Sequence, residues 1–223
     1  MPFGSAMHTP RLIAVILSTW RPGTVVEEAV TAALGDRAVD EVHVWGYDPT
    51  GRAHVYDLLP TLYHEALDHH INDITVDVLD TQGKKTAYRD TRERLRWRAS
   101  IALDMWTVMS KARALFPRDT ILYLENDAVL KPGRIGVSHA LLLRSNAPAA
   151  SCYRVGGARV YDGDGNLCYL LTPRADPGPH LLSYHFVQPA DWIMSDYSRG
   201  GWPAYDCVTH GTPGKQHVSS REI

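Results

Sequence analysis

Nowhere in its 223 residues does the chain hold an apolar run near the roughly 20 residues that a membrane-spanning helix needs. Its opening, MPFGSAMHTPR, lacks both the basic start and the apolar stretch of a secretory signal, and the sequence contains no Asn-x-Ser/Thr glycosylation acceptor. Cysteine is scarce. Cys152, Cys168 and Cys207 are odd in number and show no Cys-x-x-Cys spacing, which excludes a disulfide scaffold and a zinc ribbon and fits a reduced compartment. A net charge of −2 removes any general attraction to nucleic acid or anionic membrane. Internal repeats and low-complexity tracts are also absent. These absences lead us to expect a cytoplasmic protein of bacterial or viral origin, folded as one domain.

What remains is a chain with ordinary globular composition whose first half alternates two periodicities. Leu12 to Leu17 (LIAVIL) is apolar throughout, as a strand buried on both faces must be, and it ends in the polar turn Ser18 to Gly23. Thr24 and Glu27 have capping-box spacing, Val26, Val30 and Ala33 share a helical face, and Gly35 suits a C-terminal cap. Glu41 to Gly46 alternates as a second strand, followed by the turn-like Tyr47 to Gly51. Leu58 to Leu67 reads as a helix and Ile74 to Leu79 as a third strand. A long helix is expected from about Asp90 to Leu115, with Leu95, Ala99, Ala102, Trp106 and Met109 on its apolar face. Arg96, Ser100, Asp104, Thr107 and Lys111 then occupy the opposite, polar one. This order predicts an α/β fold with a mostly parallel sheet covered by helices.

Beyond Gly133 the periodicity weakens. Ser138 to Arg144 reads as a helix. Ala149 to Tyr161 and Leu167 to Leu171 read as two arms of a hairpin around Asp162-Gly163-Asp164-Gly165-Asn166. That turn is not a calcium loop, since the sixth and twelfth positions of the frame are Leu167 and Pro173. Pro173 to Ile223 reads as loops and short helices flanking a site.

Chemistry concentrates in Asp119 to Gly133, DTILYLENDAVLKPG. An apolar strand, Ile121 to Leu124, ends in Glu125-Asn126-Asp127, and ligands of open α/β sheets sit beyond such carboxyl ends. Two acids there are costly unless they meet positive charge, and hard divalent cations prefer carboxylate oxygens. The stretch resembles the (V/L)-x-Y-L-E-D-D-(V/A/I)-x-x-x-P-G segment of GT-A glycosyltransferases, whose acidic triplet is the D-x-D motif. Here Glu stands first and Asn second, while the metal-binding last acid is intact as Asp127. The resemblance implies a Rossmann-like GT-A fold, Mn²⁺ or Mg²⁺ as cofactor, and a nucleoside diphosphate sugar as donor. UDP is favoured by its frequency in the family. Eukaryotic Golgi transferases carry N-terminal anchors, which this sequence shows no sign of.

Other segments extend the resemblance. Ser18-Thr19-Trp20-Arg21-Pro22-Gly23 resembles the T-x-R-P turn that opens many GT-A domains and implies nucleotide contacts for Thr19 and Arg21. A hydroxyl, a guanidinium fork and free amides before a helix suit an anion. Asp48, on the same sheet edge, either meets base or ribose or forms a turn with Pro49. Lys84 to Arg98 holds seven cationic residues. Most suit a solvated helix entrance, but Arg94 and Arg98, one turn apart, are candidates to neutralise donor phosphate. Thr212 to Ser220, TPGKQHVSS, resembles the terminal T-P-S-L-V-Q-H-(I/V)-G-x-x-S-S segment of several GT-A families. That makes His217 a second metal ligand, with His210 the fallback, and Lys215 a phosphate contact. Glu125 and Asn126 are candidates for ribose or sugar hydroxyls. An inverting enzyme also needs a carboxylate base, for which Pro189-Ala190-Asp191-Trp192 offers Asp191. The same Asp191 suits a helix cap, and Asp196 and Asp206 are alternatives.

The sequence is thus read as a metal-dependent hexosyltransferase-type glycosyltransferase acting on a hydroxyl acceptor. Protein, glycan, lipid, small molecule and modified DNA base all remain open as acceptor. Residues 1–10 are expected to be a flexible N-terminus, 11–133 the nucleotide-sugar-binding half and 134–223 the acceptor-side half of the same domain. Two alternatives stand beside this reading: a sugar nucleotidyltransferase, whose Gly-rich first turn is missing here, and a non-catalytic sugar- or nucleic-acid-binding protein on a degenerate GT-A fold.

Overall fold

The computed structural model describes residues 9–18, 26–45, 92–152, 168–184, 190, 193–194, 197 and 202–210, with side chains left aside at 92–100, 183–184 and 210. Within these residues the fold is a Rossmann-like α/β layer structure. Its five-stranded sheet has the order β2-β1-β3-β6-β5, built from β1 (Leu12–Leu17), β2 (Glu41–Trp45), β3 (Thr120–Glu125), β5 (Ala149–Ser151) and β6 (Cys168–Leu171). β1 is parallel to both β2 and β3, while β6 runs antiparallel to β3 and to β5. Only β6 opposes the common direction, so the sheet is mixed rather than wholly parallel. The proposed third strand at 74–79 and the helix at 58–67 lie outside the described residues.

The apolar runs form the central strands for the reason their composition suggests. All six residues of β1 and the first five of β3 are buried, which only a strand covered on both faces allows. On one face, α1 (Val26–Gly35) and α3 (Arg134–Ser145) pack against Leu12, Ala14, Ile16, Leu122 and Leu124. α1 buries Val26, Ala29 and Ala33 and carries Glu27 and Glu28 in its first turn, where the helix dipole favours acids. On the other face, α2 (Arg92–Leu115) lays Ala102, Met105, Val108, Met109 and Ala112 over Ile13, Val15, Ile121 and Tyr123. The short α4 (Gly178–Tyr184) adds Leu181 to this layer.

α3 begins a turn earlier than its apolar pattern suggests, because Gly133 at φ 67° ends the preceding turn and Asn146 at φ 58° closes the helix. Gly136 is needed there for space, since a Cβ on it would lie 2.8 Å from the Ala38 Cβ. The β5–β6 ladder confirms the hairpin pairing of the two strands, although β5 is described only as far as Ser151.

At the amino ends of the strands the polar groups are matched to one another. Asp119 accepts from the Arg11 guanidinium and backbone amide, at 2.9 and 3.2 Å. Arg11 also pairs with Glu41, which is joined by His43. The Asp40 carboxylate accepts from the Leu12 amide, and His139 meets the Thr120 hydroxyl at 2.9 Å. Arg113 donates to the carbonyls of Phe116, Asp119, Leu171 and Thr172, tying the end of α2 to the end of β6.

Candidate functional site at the carboxyl ends of the strands

The register of the sheet puts Trp45, Leu17 and Glu125 in one row across β2, β1 and β3. This row is the carboxyl edge, and beyond it the acidic triplet turns away from the sheet. Glu125 is the last residue of β3 and half-buried, Asn126 is buried, and Asp127 is half-buried in the turn that follows. The chain then re-enters structure as β4 (Ala128–Leu130), whose partner is β7 (Val208–His210) in a separate two-stranded sheet. Ala128 and Leu130 are buried in the main core, so the turn is anchored by apolar residues on both sides.

That small ladder was not legible from periodicity, because three-residue strands carry none. It has a direct consequence for the site. His210 is the register partner of Ala128, the residue that follows Asp127. The fallback histidine of the sequence reading therefore stands on the strand beside the acidic turn. Lys131 leaves β4 in an exposed ion pair with Asp206, 2.5 Å apart, which engages one of the alternative bases in a surface contact.

The three cysteines gather beneath this turn as free thiols, all buried. Cys168 is the partner of Leu124, and the Cys152 amide donates to the Cys168 carbonyl. The Cys207 amide donates to the Cys152 carbonyl, and its thiol meets the Ser138 hydroxyl at 2.9 Å. Burial raises the pKa of Cys152 and Cys168, so these groups act as small apolar packing units rather than nucleophiles.

One expectation is corrected. The sequence pattern assigned Asp104 to a polar face of the long helix, yet Asp104 is fully buried. The buried stripe of α2 runs through Ala102, Met105, Val108 and Ala112, and is rotated from the one expected so that Trp106 is only half-buried. Both carboxylate oxygens of Asp104 are enclosed and accept no hydrogen bond from any described residue. Burial pushes its pKa up from 3.8 to about 8.

Arg94 and Arg98 fall in the first two turns of α2. Because α2 leads through a short turn into β3, it runs back along the sheet and starts at the carboxyl edge, the same edge as the triplet. Thr19, Arg21, Asp48, Asp191, Lys215 and His217 lie outside the described residues. Among the described residues no group of three His, Cys, Asp or Glu side chains is arranged to hold a metal by itself. The chemistry of the donor set nonetheless fits a hard cation of the Mg²⁺ type, which takes one or two carboxylates and completes its shell with phosphate oxygens and water. Among the described residues no helix is long and apolar enough to cross a membrane.

No protein-family model matches the chain. No curated protein matches it in sequence. Among solved structures, it is similar to 4-diphosphocytidyl-2C-methyl-D-erythritol synthase, at 13% identity and a TM-score of 0.40, covering 95% of this chain and 96% of the other. It is also similar to mouse xyloside xylosyltransferase 1 in its apo form, at 12% identity and a TM-score of 0.34, covering 89% and 78%. At such scores neither likeness bears on what this chain does.

Proposed function

We propose that this protein is a metal-dependent glycosyltransferase that moves a sugar from a nucleoside diphosphate sugar, with UDP as the favoured nucleotide, to a hydroxyl acceptor. The observation that carries the reading is the Glu125-Asn126-Asp127 turn at the carboxyl end of a central strand whose first five residues are buried, in a sequence segment resembling the D-x-D region of GT-A enzymes.

In this reading Asp127 holds the cation, and the second protein ligand is His217, with His210 the fallback. A bound Mn²⁺ or Mg²⁺ would neutralise the charge that grows on the departing diphosphate. Glu125 and Asn126 hold ribose or sugar hydroxyls. Asn126 is buried within the turn on which both acids stand. Thr19, Arg21 and Asp48 form the base and ribose end, while Arg94, Arg98 and Lys215 supply positive charge toward the phosphates. Asp191 takes the acceptor proton if the configuration is inverted.

The test is release of UDP from a panel of UDP-sugars, with Mn²⁺ and with EDTA, by the wild type and by D127A. Metal-dependent release in the wild type that disappears in D127A is the expected result. Equal release by both proteins would overturn the assignment.

A further inference from the structure

One side of α3 is packed and the other carries what a solvated helix does not need. Ile135, Ser138 and Leu142 enter the core, whereas Val137 and Leu141, one turn apart, are 61% and 45% exposed. Arg134 and Arg144 extend that outer stripe at its two ends, since steps of three, four and three residues keep to one helical face. The helix contains no acid, and Arg134 stands in its first turn, where the macrodipole disfavours a cation. Neither arginine forms an ion pair with a described residue. The end of α1 continues this surface, because Gly136 packs directly against Ala38. Leu34, 68% exposed, and Arg37, also exposed, lie in the segment leading to Ala38. The acids of that segment, Asp36 and Asp40, are turned inward to the Ala38 and Leu12 amides. Of the four large apolar side chains exposed among the described residues, three therefore gather here with three arginines. The hydrogen bond of His139 to Thr120, the first residue of β3, sets α3 toward the amino ends of the strands, away from the acidic turn.

Charge and apolarity together select the occupant. A second copy of the chain is disfavoured, because antiparallel packing of two such helices sets arginine against arginine at both ends of the stripe. A nucleic acid would satisfy the arginines and gain nothing from Leu34, Val137 and Leu141. An anionic lipid surface uses both, with guanidinium groups among the headgroups and apolar tips at the acyl boundary. The chain's net charge of −2 gives no overall pull toward such a surface, so the attraction is local to this face. We propose that α3 and the end of α1 form a docking face for an anionic membrane surface. It holds the protein peripherally by the amino edge of its sheet and leaves the acidic turn of β3 at the opposite edge. This assignment does not depend on the nucleotide-sugar reading.

The experiment is co-sedimentation of the whole chain with vesicles of phosphatidylcholine alone and of an equimolar mixture with phosphatidylglycerol. Wild type, R134Q/R144Q and V137Q/L141Q are compared, alongside thermal melts. Glutamine is a good helix former and the four sites are exposed, so all three proteins should melt alike. The wild type should pellet with the mixed vesicles and stay in solution with phosphatidylcholine. R134Q/R144Q should partition at least tenfold more weakly, at about fivefold for each arginine near an anionic surface. V137Q/L141Q should also lose binding, although its charge is unchanged. A wild type that ignores the mixed vesicles, or three proteins that bind them equally, would overturn the assignment. So would a dimer in sedimentation velocity that V137Q/L141Q abolishes, which would give the face to a second copy. Binding of duplex DNA that R134Q/R144Q loses and V137Q/L141Q keeps would overturn it in favour of a nucleic acid.

Discussion

The two ends of the central sheet solve opposite problems. At the amino ends of the strands the acids are matched from within. Asp119 has Arg11, Glu41 has Arg11 and His43, and Asp40 has a backbone amide. These contacts hold the Arg11 pKa above and the Glu41 pKa below their ordinary values, through Asp119 and His43 first. At the carboxyl ends Glu125 and Asp127 sit on a turn pinned by buried Ala128 and Leu130, and in α2 Asp104 is enclosed without a described partner. The matched acids stabilise the fold, whereas the enclosed Asp104 carboxyl weakens it. The carboxyl edge is where open α/β sheets carry their ligands, and the proposed site lies there.

Substitutions can break this comparison, and the largest effect is expected at Asp127. D127A should reduce Mn²⁺-dependent UDP affinity by about a hundredfold or more, since it removes an ionised ligand from the cation shell. Its melting temperature should stay close to wild type because the residue lies in a half-buried turn. Titration of UDP in Mn²⁺ and circular dichroism melts check the two halves.

Asp104 and Asp119 should then move stability in opposite directions. The unfolded chain ionises Asp104 near 3.8, whereas the folded protein keeps it protonated up to about 8. Stability is therefore lost progressively as pH rises from about 4 to about 8, and is flat above that. D104N should recover on the order of 2–5 kcal/mol at pH 8 and very little at pH 4, measured by urea unfolding at both values. If the two proteins unfold alike at pH 8, the enclosed carboxyl has a compensating contact of its own.

D119N should do the reverse, costing about 1–3 kcal/mol at pH 7 by weakening the contacts to the Arg11 side chain and backbone. The same urea experiment reads it, and a stability gain would remove the contrast between the two edges. E41Q should have the smallest effect, because the Glu41 side chain is 40% exposed and its pairs are open to solvent and salt. Any change in its denaturation midpoint should vanish in 1 M salt.

Much of the scaffold was legible in the sequence. LIAVIL and TILYL are apolar without interruption, and only a strand with helices on both faces uses such a run. β2 was visible as an alternating run, and β6 as the apolar return after a Gly- and Asp-rich turn. The acidic triplet stood out because charge follows directly on a core strand. Asp104 was misplaced for an equally physical reason. Polar residues in a long helix are normally assigned to its wet side, and periodicity does not reveal an acid that the tertiary structure encloses. The β4–β7 ladder was hidden because its strands are three residues long and joined across almost 80 positions, so neither local period nor turn chemistry announces it.

The central claim is that the carboxyl edge binds a nucleoside diphosphate through a metal held by Asp127. Calorimetric titration of UDP, GDP, CDP and dTDP, each with Mn²⁺ and with EDTA, tests it most directly. Binding of one nucleotide, tight in Mn²⁺ and lost in EDTA, is the result this account predicts. Absence of binding by all four, or affinity that the chelator leaves unchanged, would contradict it.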